Sequence, residues 1–350
     1  MKTVLTFNLQ IWLKMTQPGN RIIKDARVLT ADYLPNNMVH RDNERQEIAR
    51  NLKPVLNEGQ PLNMLIHGPP GTGKTAMAQY VVEELKKQQF VKTPYVNCFS
   101  QKSRFEIFYK LLNKRATVPR DGTSTEKVID SFEEDVRNNP TVITIDEVDQ
   151  IADDDALFQI SRFRKAGLLL IANNPNALAN FDERVRSRLS GLKKVRFRRY
   201  SKEELLDILK QRRKYGLFPD SVEDGQLQTI ASASNGDARM ALNSLRIAAQ
   251  DAENRGLDKI NGKIVEQSID DSQDRDRIES LERLNRHQKE VYSILQEEES
   301  LQMSDLHDEY SSRVDDAKTK RTLRRYLNKM EAYELLTIEG SKSGKMYRLE

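Results

Sequence analysis

Apolar positions along the chain change rhythm at residue 200. Before it, short apolar runs recur: Leu62, Met64, Leu65 and Ile66; residues 94–99; residues 141–145; residues 168–172; and residues 194–197. Runs this short and this rich in Val, Ile and Leu read as strands buried on both faces, which is the habit of a parallel sheet. Between them the apolar spacing lengthens to the helical period, as in Ala76, Met77, Tyr80, Val81 and Leu85, or Phe105, Phe108, Leu111 and Leu112. Strand and helix alternate, so residues 27–199 are expected to form an α/β domain with helices on both faces of a parallel sheet. It begins with an irregular arm over 27–41 and a helix through Ile48, Leu52 and Val55 that Asp42 is expected to cap.

After Tyr200 the pattern is helical throughout: residues 203–213, 226–234, 238–254 and 260–269, with Ser201 and Asp237 as caps. A small helical domain over 200–271 follows. Residues 272–283 are almost wholly charged and read as a linker or linking helix. In 284–350, Leu284, Val291, Ile294 and Leu295 mark one helix, Met303, Leu306 and Tyr310 a second, and Leu323, Tyr326, Leu327 and Met330 a third. Two alternating stretches around Gly340-Ser341-Lys342-Ser343-Gly344 add a hairpin, which makes a winged helix-turn-helix. At the other end, residues 1–13 alternate with period two and lack the features of a signal peptide. Residues 1–26 are expected to be an extension, loose or arising from a start upstream of the true one at Met15.

The chemistry begins between the first strand and its helix. His67-Gly68-Pro69-Pro70-Gly71-Thr72-Gly73-Lys74-Thr75, followed by Ala76, is a Walker A phosphate loop in its proper strand-loop-helix setting. Glycines let successive backbone N–H groups turn inward on phosphate oxygens, and the helix adds its positive end. Lys74 is expected to reach the β and γ phosphates and Thr75 to hold Mg2+. The run 141–145 ends in Asp146-Glu147, carboxylates at the carboxyl edge of a buried strand. There Asp146 holds the metal and Glu147 polarises the attacking water. The next strand ends in Asn173-Asn174, placed either to orient that water or to turn the chain. Arg184, Arg186 and Arg188 form either a solvated helix face or a finger for a neighbouring subunit's nucleotide. Arg239 lies in the first turn of its helix, against the dipole, a conflict that a phosphate nearby resolves. Val39, His40 and Arg41, on the arm, either fold over the adenine or only strap the core.

Composition narrows the partners. No apolar run approaches the ~20 residues of a membrane helix, so a soluble, cytoplasmic, nucleoid-associated protein is expected. The single cysteine, Cys98, excludes an internal disulfide and a cysteine metal site, and His40, His67, His287 and His307 have no ligand spacing. Mg2+ is the only metal expected. Net charge is only +4, but it is unevenly placed. Between Ala317 and Met330 every charged residue is basic, while acids crowd 297–299 and 305–316. With Leu323, Leu327 and Met330 turned inward, Lys320, Arg321, Arg324 and Arg325 face outward, which suits a helix in a DNA major groove. Lys342 and Lys345 bring the hairpin to the adjoining backbone. A winged helix that binds protein is the competing reading.

Walker A, Asp146-Glu147, Asn173, the 184–188 arginines, Gly236-Asp237-Ala238-Arg239 and a terminal winged helix together resemble the archaeal origin-recognition and cell division control protein 6 initiator family. The likeness runs from about residue 27 to the end. It implies an AAA+ ATPase core with a helical lid, binding ATP or ADP with Mg2+. Asn173 then looks like the first sensor, Arg239 like the second, and Arg188, or alternatively Arg184, like the arginine finger. It also implies an initiator that binds double-stranded origin repeats, self-associates on DNA, helps load the replicative minichromosome maintenance helicase, and hydrolyses ATP slowly as a switch. The helical insert at 104–125 sits where the family carries a DNA-touching motif, and Lys102, Arg104, Lys110, Lys114, Arg115 and Arg120 give it suitable charge. Two features depart from the family: the segment between Asp149 and Leu168 is short, and the basic helix has few residues suited to bidentate adenine contacts. An ATP-regulated regulator of its own gene or of a mobile element, or a clamp-loader-like protein, are the alternatives.

Overall fold

The computed structural model describes residues 22–57, 62–101, 103–112, 119–151, 153–163, 166–340 and 344–349, in two compact units divided at Ser268 and Ile269. Residues 1–13, Met15, Lys102, Lys114, Arg115 and Lys342 lie outside the described residues.

In the first unit β1 (Met64–His67), β2 (Tyr95–Asn97), β3 (Thr141–Asp146), β4 (Ala166–Ala172) and β5 (Lys193–Arg196) form a wholly parallel sheet in the order β2-β3-β4-β1-β5. Parallel neighbours need crossovers, and helices provide them. α1 (Asp42–Leu52) and α2 (Lys74–Gln88) cover Met64, Ile66, Val142, Leu169 and Ile171 on one face. On the other, α3 (Arg104–Leu112), α4 (Thr125–Asn138), α5 (Asp154–Ile160) and α6 (Glu183–Arg188) cover Leu65, Ile143, Ile145, Leu168 and Leu170. Odd and even residues of the same strands thus enter two different cores, which is why the strands read as continuous apolar runs. The sheet order sets β3, β4 and β1 side by side, so the three loops at their carboxyl ends open on one place.

Asp42 does not cap α1. It is the first helical residue, and Arg41 occupies the cap position without capping the helix N–H groups, because a guanidinium has no acceptor to offer them.

Three helices complete the unit: α7 (Lys202–Gly216), α8 (Asp224–Ala233) and α9 (Ala238–Asn254). Ser201 caps α7 in a capping box with Glu204, and Asp237 caps α9. The boundary expected at residue 26 moves towards the N-terminus. Ile22 and Ile23 are buried, Phe218 N–H donates to Ile22 O (2.9 Å), and Lys24 N–H donates to Gly216 O (2.9 Å). Isoleucines next to an exposed run of charge gain nothing unless α7 receives them. Arg212 of α7 holds this arm from beneath, donating to Val28 O (3.1 Å) and Tyr33 O (3.0 Å) under the Tyr33 ring. Replacing it strands two carbonyls. Arg212→Ala is expected to cost about 2–4 kcal/mol and to expose the arm to protease before the rest unfolds. A melting curve and limited proteolysis check this, and an unchanged digest would count against the arm's dependence on Arg212.

The second unit begins within α10 (Gly262–Glu282), so 272–283, expected as a linker or linking helix, is mostly helix. Its charges are good helix formers without glycine or proline, and Arg283 closes the end on Glu279 at 2.6 Å. α11 (Arg286–Glu297), α12 (Met303–Arg313) and α13 (Lys320–Ala332) pack around Val291, Ile294, Leu306, Tyr310, Leu323 and Leu327. β6 (Leu301–Gln302), β7 (Leu336–Glu339) and β8 (Met346–Leu349) form an antiparallel sheet in the order β6-β8-β7. No helix among the described residues is long and apolar enough to cross a membrane.

Candidate nucleotide site and basic helix

The phosphate loop joins β1 to α2, and its glycines answer to specific neighbours. Gly68, Gly71 and Gly73 have φ of 155°, 66° and 84°, a region that side chains other than glycine's rarely adopt. A Cβ on Gly71 would also lie 1.9 Å from the Asp237 carboxylate, and one on Gly68 would lie 2.1 Å from Phe197 O. Ala238 N–H donates to Gly71 O at 3.0 Å. The N-terminal end of α9 is therefore seated directly on the loop.

Side chains from the three adjacent strands meet here. Lys74 Nζ donates to Gly68 O (2.7 Å), Pro69 O (2.7 Å) and Asn173 Oδ1 (3.2 Å). Thr75 Oγ1 donates to Asp146 Oδ2 (2.7 Å), and Asp146 Oδ1 accepts the Glu147 N–H (2.9 Å). The two asparagines have different work: Asn174 Oδ1 accepts from Asn176 N–H (2.9 Å) and turns the chain, whereas Asn173 faces Lys74. Glu147 adopts a left-handed φ of 50° at the end of β3. Pro70, Thr72 and Ala76 complete the loop and the helix start, with Thr72 Oγ1 donating to Pro69 O at 2.8 Å.

Burial holds the Lys74 ammonium at about 8, well below the usual lysine value; Asp146 opposes the shift and Arg239 adds to it. Phosphate oxygens would favour the charged form. Nucleotide binding should then take up a proton wherever free Lys74 has lost one: about a tenth of a proton at pH 7 and about three quarters at pH 8.5. Calorimetry in two buffers of different ionisation enthalpy reads this uptake. No uptake at pH 8.5 would contradict it.

Arg239 has a local partner after all. Its Nη2 lies 3.5 Å from Asp237 Oδ2, which offsets its place against the helix dipole. Its Nε is nonetheless buried with no acceptor among the described residues. On the arm, Val39 is half-buried and His40, at φ 61°, meets Asp207 of α7 at 2.9 Å. Arg41 is committed to protein: it donates to Glu44 (3.0 Å) and Arg198 O (2.5 Å) and lies over Tyr200, 4.0 Å from the ring centre. Tyr200 in turn touches the loop, its hydroxyl 2.7 Å from where a Cβ on Gly73 would be. On α6, Arg184 is engaged by Asp182 (2.6 Å) and Asp155 (3.1 Å) and covers Phe158, while Arg188 makes one bond, to Ser161 O (2.9 Å).

In the second unit, Lys320, Arg321, Arg324 and Arg325 are all exposed on α13, and none pairs with a carboxylate among the described residues. The turn into this helix is braced. Lys318 N–H donates to the Tyr310 hydroxyl (3.2 Å), which meets His287 Nδ1 at 2.7 Å. Lys345, before β8, is exposed too.

Residues 37–171 match the AAA ATPase domain and residues 206–270 the Cdc6 AAA+ ATPase-type lid domain. The chain is 36% identical over 343 residues to ORC1-type DNA replication protein 9 of Halobacterium salinarum, covering 96% of both. The chain belongs to the archaeal Orc1/Cdc6 family. ORC1-type DNA replication protein 1 of the same organism is 34% identical over 308 residues, 87% of this chain and 100% of that protein. In fold, the chain resembles the Aeropyrum pernix ORC1 protein solved in complex with DNA, with a TM-score of 0.72, 24% identity and 94% of each chain covered. The parallel sheet is thus an AAA+ core, and α7 to α9 belong to its lid.

The donor set fits a magnesium nucleotide. Hard oxygens of Thr75 and Asp146 suit Mg2+, and the acceptor-less Arg239 Nε and the buried Lys74 suit phosphate. Among the described residues no cluster of three His, Cys, Asp or Glu side chains could hold a metal ion.

The sequence reading missed Tyr95. Its hydroxyl donates to Asp146 Oδ2 at 3.0 Å, the same oxygen that Thr75 engages, and burial, with Asp146 beside it, raises the phenol so that it stays a donor. Only the pairing of β2 with β3 brings it there. Nor did composition mark Asp237 or Tyr200 as neighbours of the loop, because both act through contacts between domains of the sequence.

Proposed function

We propose that this chain is an ATP-dependent replication initiator that binds duplex origin DNA through a C-terminal winged helix and helps load the replicative minichromosome maintenance helicase. A role in DNA replication initiation follows from the family. Lys74 bonded to Asn173 beside Thr75 bonded to Asp146 is the observation that supports nucleotide use. In this reading Thr75 and Asp146 would hold Mg2+, which would supply positive charge against the nucleotide's phosphates. Glu147 orients water, Asn173 and Arg239 act as sensors, and Val39 and His40 border the base while Arg41 backs Tyr200. Arg188, less tied down than Arg184, is the finger offered to a second copy on DNA.

Hydrolysis works as a slow switch because the lid rests on the loop itself. Loss of the γ-phosphate removes an acceptor from Arg239, and the Asp237 and Ala238 contacts with Gly71 carry the change into α9. On DNA, Lys320, Arg321, Arg324 and Arg325 neutralise phosphates in a major groove, with Lys342 and Lys345 on the adjoining backbone.

The deciding experiment selects fragments of the source genome with the purified protein and ATP at near-physiological salt and sequences what is retained. A few loci with repeated boxes, coinciding with mapped replication starts, are expected. Uniform recovery would overturn origin recognition, and discrete loci away from replication starts would indicate a regulator instead.

A further inference from the structure

Asp146 is held by more than the loop that faces it. On β3, Thr144 and Asp146 point to the same side of the sheet, and β2 runs beside them in parallel with Tyr95 opposite Thr144. A tyrosine at that register is long enough to cross diagonally to the next residue on the same side. Its hydroxyl reaches Asp146 Oδ2 at 3.0 Å, while Thr75 Oγ1 reaches the same oxygen at 2.7 Å and the Glu147 N–H holds Oδ1 at 2.9 Å.

These three donors are not equivalent. Thr75 is the one that Mg2+ would engage through a lone pair, so the place of its hydroxyl, which still donates to Asp146, would then be set by the metal as well. The Glu147 N–H fixes one carboxylate oxygen but leaves rotation of the other about that bond. Tyr95 comes from a different strand and reaches Asp146 independently of the phosphate loop. We propose that Tyr95 is a positioning residue for the metal site: its hydroxyl keeps the Asp146 carboxylate aimed at the place beside Thr75 that Mg2+ would take. The proposal rests on the nucleotide reading above and adds a residue to it.

Tyr95→Phe removes the hydroxyl and keeps the ring. Binding of a fluorescent ADP analogue is measured first in EDTA and then across a Mg2+ titration. In EDTA the variant should bind within about twofold of the unaltered chain, because Tyr95 touches no phosphate. The Mg2+ concentration giving half of the metal-dependent gain in affinity should rise at least about tenfold, the lower end of the worth of one hydrogen bond to a charged oxygen. Tyr95→His, which can return an N–H donor, should recover part of that response, and it serves as the second variant if the first is unstable. An unchanged Mg2+ midpoint would overturn the proposal, and so would an equal loss in EDTA and in Mg2+, which would make Tyr95 a wall of the pocket. If the unaltered chain binds the analogue with no Mg2+ dependence, the metal reading of Thr75 and Asp146 fails, which is a different result from failure of Tyr95 alone.

Discussion

Lys74→Ala should weaken ATP and ADP binding by roughly 30- to 1,000-fold, as expected for losing charge-assisted bonds to phosphate worth about 2–4 kcal/mol. The lysine also has a role in the free protein, since its ammonium gathers Gly68 O, Pro69 O and Asn173 Oδ1 at the mouth of the loop. Alanine therefore leaves those acceptors to water. Lys74→Met fills the same volume without the charge and separates the two effects. Both variants should lose nucleotide affinity alike, whereas only the alanine leaves a gap among buried neighbours. Fluorescent nucleotide titration alongside melting curves reads this directly. Affinity retained in both variants would show that the loop does not bind phosphate in the expected way, and any ATP-dependent change in DNA binding should then persist.

Reversing the charge of Arg321, Arg324 and Arg325 together should have the other large effect. All three are exposed on α13 and unpaired among the described residues, so reversal costs little inside the fold. On DNA it replaces attraction to phosphate by repulsion. Binding to duplex DNA should fall by about 10² to 10⁴, and the slope of log affinity against log salt should become shallower by roughly 3, close to one per lost contact. Circular dichroism should show the helix intact. Undiminished DNA affinity would mean that this helix serves a protein partner, and the winged-helix reading would move with it.

The chain shows what local pattern can and cannot carry. The phosphate loop was legible because its requirements are local: glycines at fixed spacing, a strand before and a helix after. Asp146-Glu147 was legible only in company with that loop, since an apolar strand ending in two acids is common and mostly structural by itself. Arg239 was legible only as a conflict with its helix, and the local ion pair with Asp237 that relieves it depends on side-chain directions. At 272–283 charge density left a linker and a linking helix both open, and the structure forms the helix over most of it.

What the sequence by itself determined is the set of elements and the chemistry attached to their ends: a parallel α/β core, a helical lid, a phosphate loop, a carboxylate pair and a basic helix. These follow from periodicity, β-branching and turn chemistry, each fixed by residues a few positions apart. Tertiary structure decided which ends meet. The order β3-β4-β1 brings Asp146, Asn173 and Lys74 together, β2 beside β3 adds Tyr95, and the seating of Asp237 and Ala238 on Gly71 joins the lid to the loop. Arg41, expected on the arm to fold over the adenine or strap the core, lies buried over Tyr200, and Arg212, which no sequence pattern marked, lies buried under Tyr33. A buried cation is tolerated only where carbonyls and rings from distant segments enclose it, and that enclosure exists only once the chain has folded.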